Sequence, residues 1–597
     1  MKYFSDIAAL FTKKEKKLSI LLFIMIIFMA LFDIIGIASL MPFMAILTSP
    51  EVIFSNKYLF DIYTYFAFNT EQQFLLFIGV CVFFALIFSI FFRGMTQWFL
   101  LRFAYLRAFS MSTRLVEGYL FQTYSWFLGR HSADLGKNIL GEVDQVVMGA
   151  VIPLMQAIAQ IVVLIAIFIF LVAVDPILAI YVAFVLAITY SAIYLLLKNK
   201  LSTLGSSRVQ ANKERYQTLT EMFGGIKEVK VSGSESKFVE KFKPSAMKFA
   251  LAQSGSQIFA EMPRYALEMI AFGGMLLIVL FIMSTSEGIN SVIPILTAYA
   301  LAAYRMMPAV QLLFRNLAIL RFNGPALSKL AVEFRDLADS RGFKGDLHKI
   351  GFNKSIDLEN IIYSYPGSPE PNIKDISFKI PFKSSVGIVG STGSGKTTAI
   401  DILLGLLLPD SGCLKVDGVN INKSNSVNWR KNIGYVPQDI YLSDDTIESN
   451  IAFGASSQDI DSKAIINAAK IANLHDFVTN DLELGYKTVV GERGVRLSGG
   501  QKQRIGIARA LYFSPSLLIL DEATSALDNI TENLVMEAIE NLNNKITMVI
   551  IAHRLSTVQK CNSILVLEKG LIKDSGTYQE LMQSSELFKK INKIEND

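Results

Sequence analysis

The chain has 597 residues, which is more than one hydrophobic core can organise and predicts several domain-sized units. Hydrophobic residues make up 52% and charged residues only 18%, so an ordinary soluble protein is excluded for the whole length. The net charge of +5 comes mostly from cations between apolar segments, which membrane topology explains without nucleic acid, and the three cysteines lack metal-ligand spacing.

The apolar residues are concentrated before position 325, where six segments are long enough to cross a bilayer. A span needs about 20 mostly apolar residues. The predicted spans are 18–47, 74–92, 146–173, 176–197, 264–284 and 290–312. The first is preceded by lysines and has no cleavage site, so we expect a retained membrane helix rather than a signal peptide.

Lysine and arginine alternate between the connecting segments and predict the orientation. The stretch 93–145 carries six cations and the stretch 198–263 carries eleven, whereas 48–73 carries only Lys57. Cytoplasmic loops carry the cationic excess. Both termini and both long loops are therefore predicted to be cytoplasmic.

The two long loops are amphipathic, and we expect spans two to five to continue into the cytoplasm as helices. In the second loop, the glycines of Gly224–Lys230 interrupt the helical pattern. The break predicts either a short transverse helix that docks on a soluble domain or a plain turn between two helices.

A phosphate-binding loop lies in the soluble half of the chain. It follows the apolar run Val386–Val389 and precedes the helical pattern Ala399–Leu404, and it fits G-x-x-x-x-G-K-[ST]. Its backbone N–H groups and the helix N-terminus would hold the phosphates of ATP. The residues predicted to bind ATP here are Gly390, Ser391, Thr392, Gly393, Ser394, Gly395, Lys396, Thr397 and Thr398, with the Thr397 hydroxyl on Mg²⁺.

Two further strand-like runs end in residues suited to hydrolysis. Leu517–Leu520 ends in Asp521, which can hold Mg²⁺, and Glu522, which is placed to act as the general base. The run Thr547–Ile551 leads to His553, which is predicted to contact the γ-phosphate or the attacking water.

With these motifs in place, the soluble half, roughly 353–590, resembles the nucleotide-binding domain of ATP-binding-cassette transporters. The resemblance implies that Tyr365 stacks on adenine, with Tyr363 a weaker candidate, and that Gln438 links Mg²⁺ and water to the membrane domain. It also implies a signature motif that contacts the ATP bound by a second subunit, formed by Ser498, Gly499, Gly500 and Gln501. A further loop, which contains Asp528, would join the two ATP sites across the dimer. Val490–Gly494 resembles an element typical of exporters.

The resemblance extends to the first half and implies the overall architecture. The predicted fold is an α-helical six-span membrane domain, residues 1–325, joined by a linker, 326–352, to an α/β P-loop domain, 353–597. It implies an exporter that is an ATP hydrolase coupled to transport, works with a second copy of itself, and lies in a bacterial inner membrane with its ATPase domain in the cytoplasm. ATP and Mg²⁺ are the implied ligands.

Cationic residues near or within the spans are the candidates for contact with the substrate. Ionisable groups at membrane depth are costly unless they face a cavity or a partner. The candidates are Arg93, Arg264, Arg305 and Arg315, which would suit an anionic headgroup such as a pyrophosphate. For Arg93 and Arg315, the alternative is a position at the cytoplasmic interface, with the head group reaching water.

The strings Met262–Tyr265 and Ala303–Pro308 resemble the bacterial flippase of lipid-linked oligosaccharides, in which 52–68 would form a short external helix near the lipid tail. The alternative for 52–68 is a simple connector at the membrane interface. A transporter of such a lipid-linked glycan is the function that this resemblance implies. A multidrug or lipid A exporter of the same fold, and an ATP-gated channel or regulator, are the alternatives.

Overall fold

The structure is a computed structural model of the full chain. It describes residues 2–48, 50–174, 176–284, 293–339, 348–456, 458–523, 529–540, 545–552 and 554–596. These residues form two compact units. The first comprises Met1–Gln122 and Arg130–Gly342, and the second comprises Thr123–Gly129 and Phe343–Asp597.

The described residues of the first unit form helices joined by short turns, with no strand among them. Its long helices are α2 (Lys13–Ala38), α6 (Glu71–Leu120), α10 (Ile152–Val174), α11 (Pro176–Gly224), α13 (Glu235–Ser284) and α14 (Ile293–Asp339). Its shorter helices are α1 (Lys2–Leu10), α3 (Leu40–Thr48), α4 (Val52–Ser55), α5 (Lys57–Tyr65), α8 (Ser132–Lys137), α9 (Val143–Val146) and α12 (Ile226–Val231), and α7 (Tyr124–Leu128) lies in the second unit. Asn138–Glu142 and Val147–Val151 are π-helical.

The long helices exceed the predicted spans because their polar extensions are helical as well. Among the described residues, Lys13–Gly36, Glu71–Leu120 and Ser132–Val172 are long and apolar enough to cross a membrane. The predicted spans 176–197, 264–284 and 290–312 contain side chains outside the described set, and residues 290–292 lie outside it altogether. The first predicted span is two helices rather than one, because Pro42 has no N–H to donate to Ala38 and the chain breaks at Ser39.

The interruption that was predicted around Gly224 contains a short helix. Helix α11 ends at Gly224, α12 runs over Ile226–Val231, and α13 begins at Glu235. Val229 is the buried residue of α12. Its docking on a soluble domain stays a prediction.

The second unit is an α/β domain built on two sheets. The strands are β1 (Ser355–Tyr363), β2 (Ile373–Pro381), β3 (Ser385–Gly390), β4 (Ser411–Val416), β5 (Val419–Asn420), β6 (Ile433–Val436), β7 (Leu517–Asp521), β8 (Thr547–Ile551), β9 (Ser563–Glu568) and β10 (Leu571–Gly576). The helices are α15 (Lys396–Leu403), α16 (Ser426–Arg430), α17 (Ile447–Ile451), α18 (Ser462–Ile471), α19 (Gly499–Tyr512), α20 (Asn529–Glu540), α21 (Leu555–Val558), α22 (Tyr578–Ser584) and α23 (Glu586–Asn596).

In the larger sheet, the phosphate-binding loop follows the carboxyl end of a central strand, β3. Its strand order is β10-β9-β3-β8-β7-β6, in which β3 pairs in parallel with β8 and β9, and β7 pairs in parallel with β6 and β8. Strands β3, β7 and β8 are buried along their whole length, which explains their continuous apolar sequences. Ligands of such sheets bind beyond the carboxyl ends of the strands. At this end, the loop after β3 lies close to Asp521, the last residue of β7, and to Glu522, which follows it. The antiparallel sheet has the order β2-β1-β4-β5.

Candidate nucleotide-binding site

The loop between β3 and α15 has the backbone that phosphate binding requires. Gly393 and Gly395 have φ angles of 78° and 103°, a region that residues with side chains rarely adopt. A Cβ on Gly395 would also lie 2.9 Å from the Ile373 side chain. Gly395 caps α15 without a side-chain acceptor, so the first N–H groups of that helix remain available for an anion.

Lys396 lies against this loop. Its Nζ donates to the carbonyl oxygens of Gly390, at 2.6 Å, and Ser391, at 3.2 Å. Burial lowers the pKa of this ammonium, which the charges of Glu522 and Asp521 partly offset. An ammonium held only by neutral carbonyls is well placed to exchange them for phosphate oxygens.

Ser394 supplies a test of whether phosphate fits the loop. Its hydroxyl is buried and has no hydrogen-bond partner among the described residues. An unpaired buried hydroxyl costs roughly 1–3 kcal/mol. A phosphate oxygen bound in the loop would give this hydroxyl an acceptor, so the residues present fit the group.

The opposite wall is formed by carboxylates and an amide. The Gln438 side-chain N–H donates to Glu522 Oε2 at 2.7 Å, and the Tyr435 hydroxyl donates to Asp521 Oδ2 at 3.3 Å. Glu522 has a φ of 50°, an uncommon conformation for a residue with a side chain, and such strain often occurs at functional sites. Burial of Tyr435, and then the charge of Asp521, raise the pKa of the tyrosine.

One cavity of about 540 Å³ joins the two walls. It brings together most of the predicted loop residues, Gln438, Asp521 and Glu522; its lining is Asn372, Thr392, Gly393, Ser394, Gly395, Lys396, Thr397, Thr398, Gln438, Asp521, Glu522 and Ile551. Hydroxyl, amide and carboxylate oxygens are the ligands that Mg²⁺ prefers, so Thr397, Gln438 and Asp521 fit the predicted metal. Asn372 and Ile551 line the cavity without having been predicted.

The aromatic side of the site centres on Tyr365. Its hydroxyl lies 3.2 Å from Thr398 Oγ1, and its ring meets that of Tyr363 edge-on at 5.2 Å between centroids. Tyr124 of α7 belongs to the same compact unit, and its pKa is raised by burial and then by Asp401 and Tyr365. The stretch between the second and third predicted spans therefore contributes a helix to this domain, which nothing in the apolar pattern of 93–145 indicated.

The signature residues form a capped helix start away from this cavity. Ser498 caps α19 by accepting from the Gln501 N–H, and the Gln501 side chain accepts from the Ser498 N–H. Ser498 and Gly499 are exposed, and none of Ser498, Gly499, Gly500 and Gln501 lines the cavity. His553 and Asp528, two other predicted site residues, lie outside the described residues.

The predicted substrate arginines differ in their surroundings. Arg93 is paired with Asp33, and Arg264 donates to Glu268 at 2.7 Å, so neither is an uncompensated cation. Arg315 is exposed and forms no ion pair with the residues that the structure describes. The side chain of Arg305 lies outside the described set.

Two family profiles match this chain. The profile of the ABC transporter transmembrane region matches residues 18–309, and the ABC transporter profile matches residues 373–525. Together they cover nearly all of the predicted spans and the part of the nucleotide-binding domain from β2 to β7. The predicted fold class is thereby confirmed.

Curated relatives are similar mainly over part of the chain. A mouse protein, "ATP-binding cassette sub-family B member 10, mitochondrial", is 42% identical over 243 residues, which are 40% of this chain and 34% of the relative. "ABC transporter B family member 18" of Arabidopsis thaliana is 46% identical over 38% of this chain and 18% of its own length. The "Sophorolipid transporter" of Starmerella bombicola is 36% identical over 52% of this chain and 24% of its own length. The chain thus spans about a third or less of these relatives.

A solved structure matches nearly the whole chain. It is described as a bacterial Atm1-family ABC exporter with ATP bound, and it superposes with a TM-score of 0.80 over 96% of this chain and 97% of its own. The identity is 22%, so the likeness concerns the fold.

Proposed function

Because this chain belongs to the ABC transporters and carries a transmembrane region and an ATP-binding domain in one polypeptide, we propose that it is a homodimeric, ATP-driven exporter or flippase. The observation that carries the proposal is the cavity in which Lys396, Gln438, Asp521 and Glu522 meet at the carboxyl ends of β3 and β7. The proposed substrate is an amphipathic lipid with an anionic headgroup, such as a lipid-linked oligosaccharide.

In the proposed reaction, Lys396 and the loop N–H groups bind the phosphates of ATP. The Lys396 ammonium exchanges its contacts with Gly390 and Ser391 for phosphate oxygens, and Ser394 gains the acceptor that it lacks. Mg²⁺, held by Thr397, Gln438 and Asp521, would offset the phosphate charge. Tyr365 provides the ring on which adenine stacks.

Glu522 acts as the general base for the attacking water. Its carboxylate accepts a proton from the water while the water oxygen bonds to the γ-phosphorus and the bond to the bridging oxygen breaks. Gln438, which donates to the carboxylate at 2.7 Å, orients it. We propose that His553 assists at the γ-phosphate.

The exposed start of α19 supports a composite site in a dimer. Ser498 and the glycine N–H groups lie outside the cavity of their own chain, and a helix N-terminus favours anions. We propose that they meet the ATP of a second copy, with Asp528 in the loop that joins the sites. Closure would reach the membrane half through α7, where the chain enters the ATP-binding unit at Thr123 and leaves it at Gly129.

Arginines in the membrane half support the anionic substrate. We propose that Arg93, Arg264, Arg305 and Arg315 lie along its path in a bacterial inner membrane, with the ATPase domain cytoplasmic. The short external helix α5 and its aromatic neighbours would serve the lipid tail; Tyr63 contacts Phe74 and Phe54 at ring distances of 5.4 and 5.8 Å. One relative carries a lipid in its name, the sophorolipid transporter.

Reconstitution in liposomes tests the proposal. ATPase rates and lipid translocation are measured for an anionic isoprenoid lipid, its neutral alcohol and a hydrophobic drug. We expect the anionic lipid to stimulate ATP hydrolysis and to be moved. Preferential transport of the drug would favour the multidrug alternative, and an ATP-dependent ion current without lipid movement would favour a channel.

A further inference from the structure

A buried carboxylate holds one of the membrane-domain arginines. Asp33 of α2 is 3% exposed; its Oδ1 accepts from the Ser89 hydroxyl at 2.7 Å and its Oδ2 accepts from the Arg93 guanidinium. Aromatic rings also pack between the same two helices: Phe32 lies edge-on to Phe88 and Phe92 at 4.8 and 5.0 Å. The carboxylate is thus buried, and both of its oxygens accept hydrogen bonds from α6.

A second ion pair between the same helices fixes the depth of the first. Arg107 of α6 donates to Glu15 of α2 at 2.6 Å, beside the lysine cluster that marks the predicted cytoplasmic end. Eighteen residues separate Glu15 from Asp33, and fourteen separate Arg93 from Arg107. At ~1.5 Å per residue the two pairs are about 21–27 Å apart.

Measured from the predicted cytoplasmic end at Glu15, that separation puts Asp33 and Arg93 within a hydrocarbon region about 30 Å thick. On that basis we expect the Arg93 head group to lie beyond the reach of cytoplasmic water, contrary to the interfacial alternative. The membrane part of α6 would then extend past residue 92, where the second span was predicted to end.

The two charges of the pair differ in accessibility. The Arg93 side chain is 43% exposed, whereas Asp33 is enclosed behind it. A guanidinium offers five N–H donors, and the contact with Asp33 engages only its Nη2 nitrogen. Exposure of a charge at this depth is tolerated where it faces a cavity or a partner rather than lipid.

We propose that Asp33 is a positioning residue and the resident counter-ion of Arg93, which it presents to an oxyanion of the transported molecule. The inference rests on the proposed function. Before the substrate enters, the pair is neutral, so the arginine is retained at membrane depth at lower cost. When an oxyanion binds, it accepts hydrogen bonds from the remaining N–H donors of Arg93. The attraction between Arg93 and Asp33 weakens the binding of the anion, which favours its release.

The variant Asp33→Asn separates this role from a structural one. The amide keeps the shape and one acceptor oxygen, but Arg93 then carries an uncompensated charge. We expect KM for an anionic lipid to fall roughly fivefold and kcat to fall by a similar factor, because the anion binds more tightly and leaves more slowly. A merely structural role predicts lower stability without a fall in KM.

The experiment uses the full-length protein in liposomes with farnesyl pyrophosphate, farnesol, which has the same tail without the anion, and inorganic pyrophosphate as a free anion. ATPase stimulation and translocation are measured against concentration. The matched control is Glu15→Gln, which breaks the other ion pair between α2 and α6; we expect it to leave KM unchanged. Stimulation by inorganic pyrophosphate alone would assign the contact to a free anion rather than to a lipid headgroup and would overturn the lipid part of the inference.

The charge exchange Asp33→Arg with Arg93→Asp is the second variant. It restores an ion pair but places the carboxylate on the accessible side, so we expect loss of farnesyl pyrophosphate transport and of its stimulation of ATP hydrolysis. Wild-type transport by this variant, or an unchanged KM in Asp33→Asn, would overturn the inference while leaving the proposed function intact. If the wild type moves farnesol and farnesyl pyrophosphate equally, the proposed anionic substrate and this inference both fail.

Discussion

At the residue scale, the proposed hydrolytic centre depends on Glu522, whose strained backbone and hydrogen bond to Gln438 fix the carboxylate in the cavity. The residue follows β7 directly, so the end of a buried strand positions it. The sequence predicted this placement because the apolar run before Asp521 is continuous.

The variant Glu522→Gln should bind ATP and lose hydrolysis. The amide keeps the shape but cannot accept the proton from water, and a positioned general base contributes about 10²- to 10⁴-fold. ATPase rate and nucleotide binding are measured in parallel. Glu359→Gln, in an exposed pair with Lys415 on the other sheet, is the control and should be neutral. Normal turnover in Glu522→Gln would remove the assignment.

We expect Asp401, a second acid near the site, to make the stability of the folded protein depend on pH. Burial, and then the charge of Asp521, raise the pKa of Asp401 from its ordinary value of 3.8 to about 6. Since the folded state binds the proton more tightly than the unfolded state, this group's contribution to stability is present below about pH 4 and is lost as the pH rises through 6.

The variant Asp401→Asn should therefore gain stability relative to the wild type as the pH rises from 4.5 to 7. The difference should reach the order of 1 kcal/mol, because partial solvent exposure reduces the full linkage value. Thermal unfolding of both proteins across this pH range measures it. A difference that does not change with pH would show that Asp401 does not titrate as described.

At the element scale, the close crossing of α11 and α14 is the tightest contact of the membrane unit that we describe. A Cβ on Gly205 would lie 1.9 Å from the Phe322 carbonyl oxygen, and this obstacle is backbone, which cannot rotate away. Phe322 and Leu201 are buried in the cluster beside it. The glycine is required by the approach of the two helices rather than by a turn.

Replacement of Gly205 by alanine should destabilise the membrane unit by about 1–3 kcal/mol, as overpacking does. The control is Gly94→Ala, on α6, where an added Cβ meets nothing within 4 Å. That change should be neutral or slightly stabilising because alanine favours helix. Thermal unfolding in detergent compares the two, and equal effects would contradict the proposed crossing.

Elements with local sequence signals were predictable, and contacts between distant elements were not. Strand β3, its loop and α15 follow from Val386–Val389, the glycines and the helical pattern after Lys396. The pairing of Arg93 with Asp33 joins residues 60 positions apart and depends on the packing register of two helices. Tyr435 was not predicted as a site residue for the same reason, because its hydrogen bond to Asp521 arises from the parallel pairing of β6 and β7.

At the scale of the whole molecule, we propose that two copies work together, because the signature residues lie outside the cavity of their own chain. Lys396→Ala and Ser498→Arg each disable both sites of a homodimer. A mixed dimer has one site with both defects and one intact site. We expect it to recover about half of wild-type ATPase activity if the sites act independently.

The mixed dimer is isolated with two affinity tags, and each homodimer serves as its control. Failure of the mixed dimer to exceed both homodimers would contradict a composite site. Activity in the Ser498→Arg homodimer would show that the signature does not contribute to hydrolysis.

The most direct test of the central claim is ATP-driven translocation of farnesyl pyrophosphate in liposomes, with Glu522→Gln protein reconstituted at equal density. We expect translocation of farnesyl pyrophosphate that requires hydrolysable ATP, is absent with Glu522→Gln and exceeds the translocation of farnesol. Equal movement in both proteins, or ATP hydrolysis that no lipid accelerates and that moves none, would contradict it.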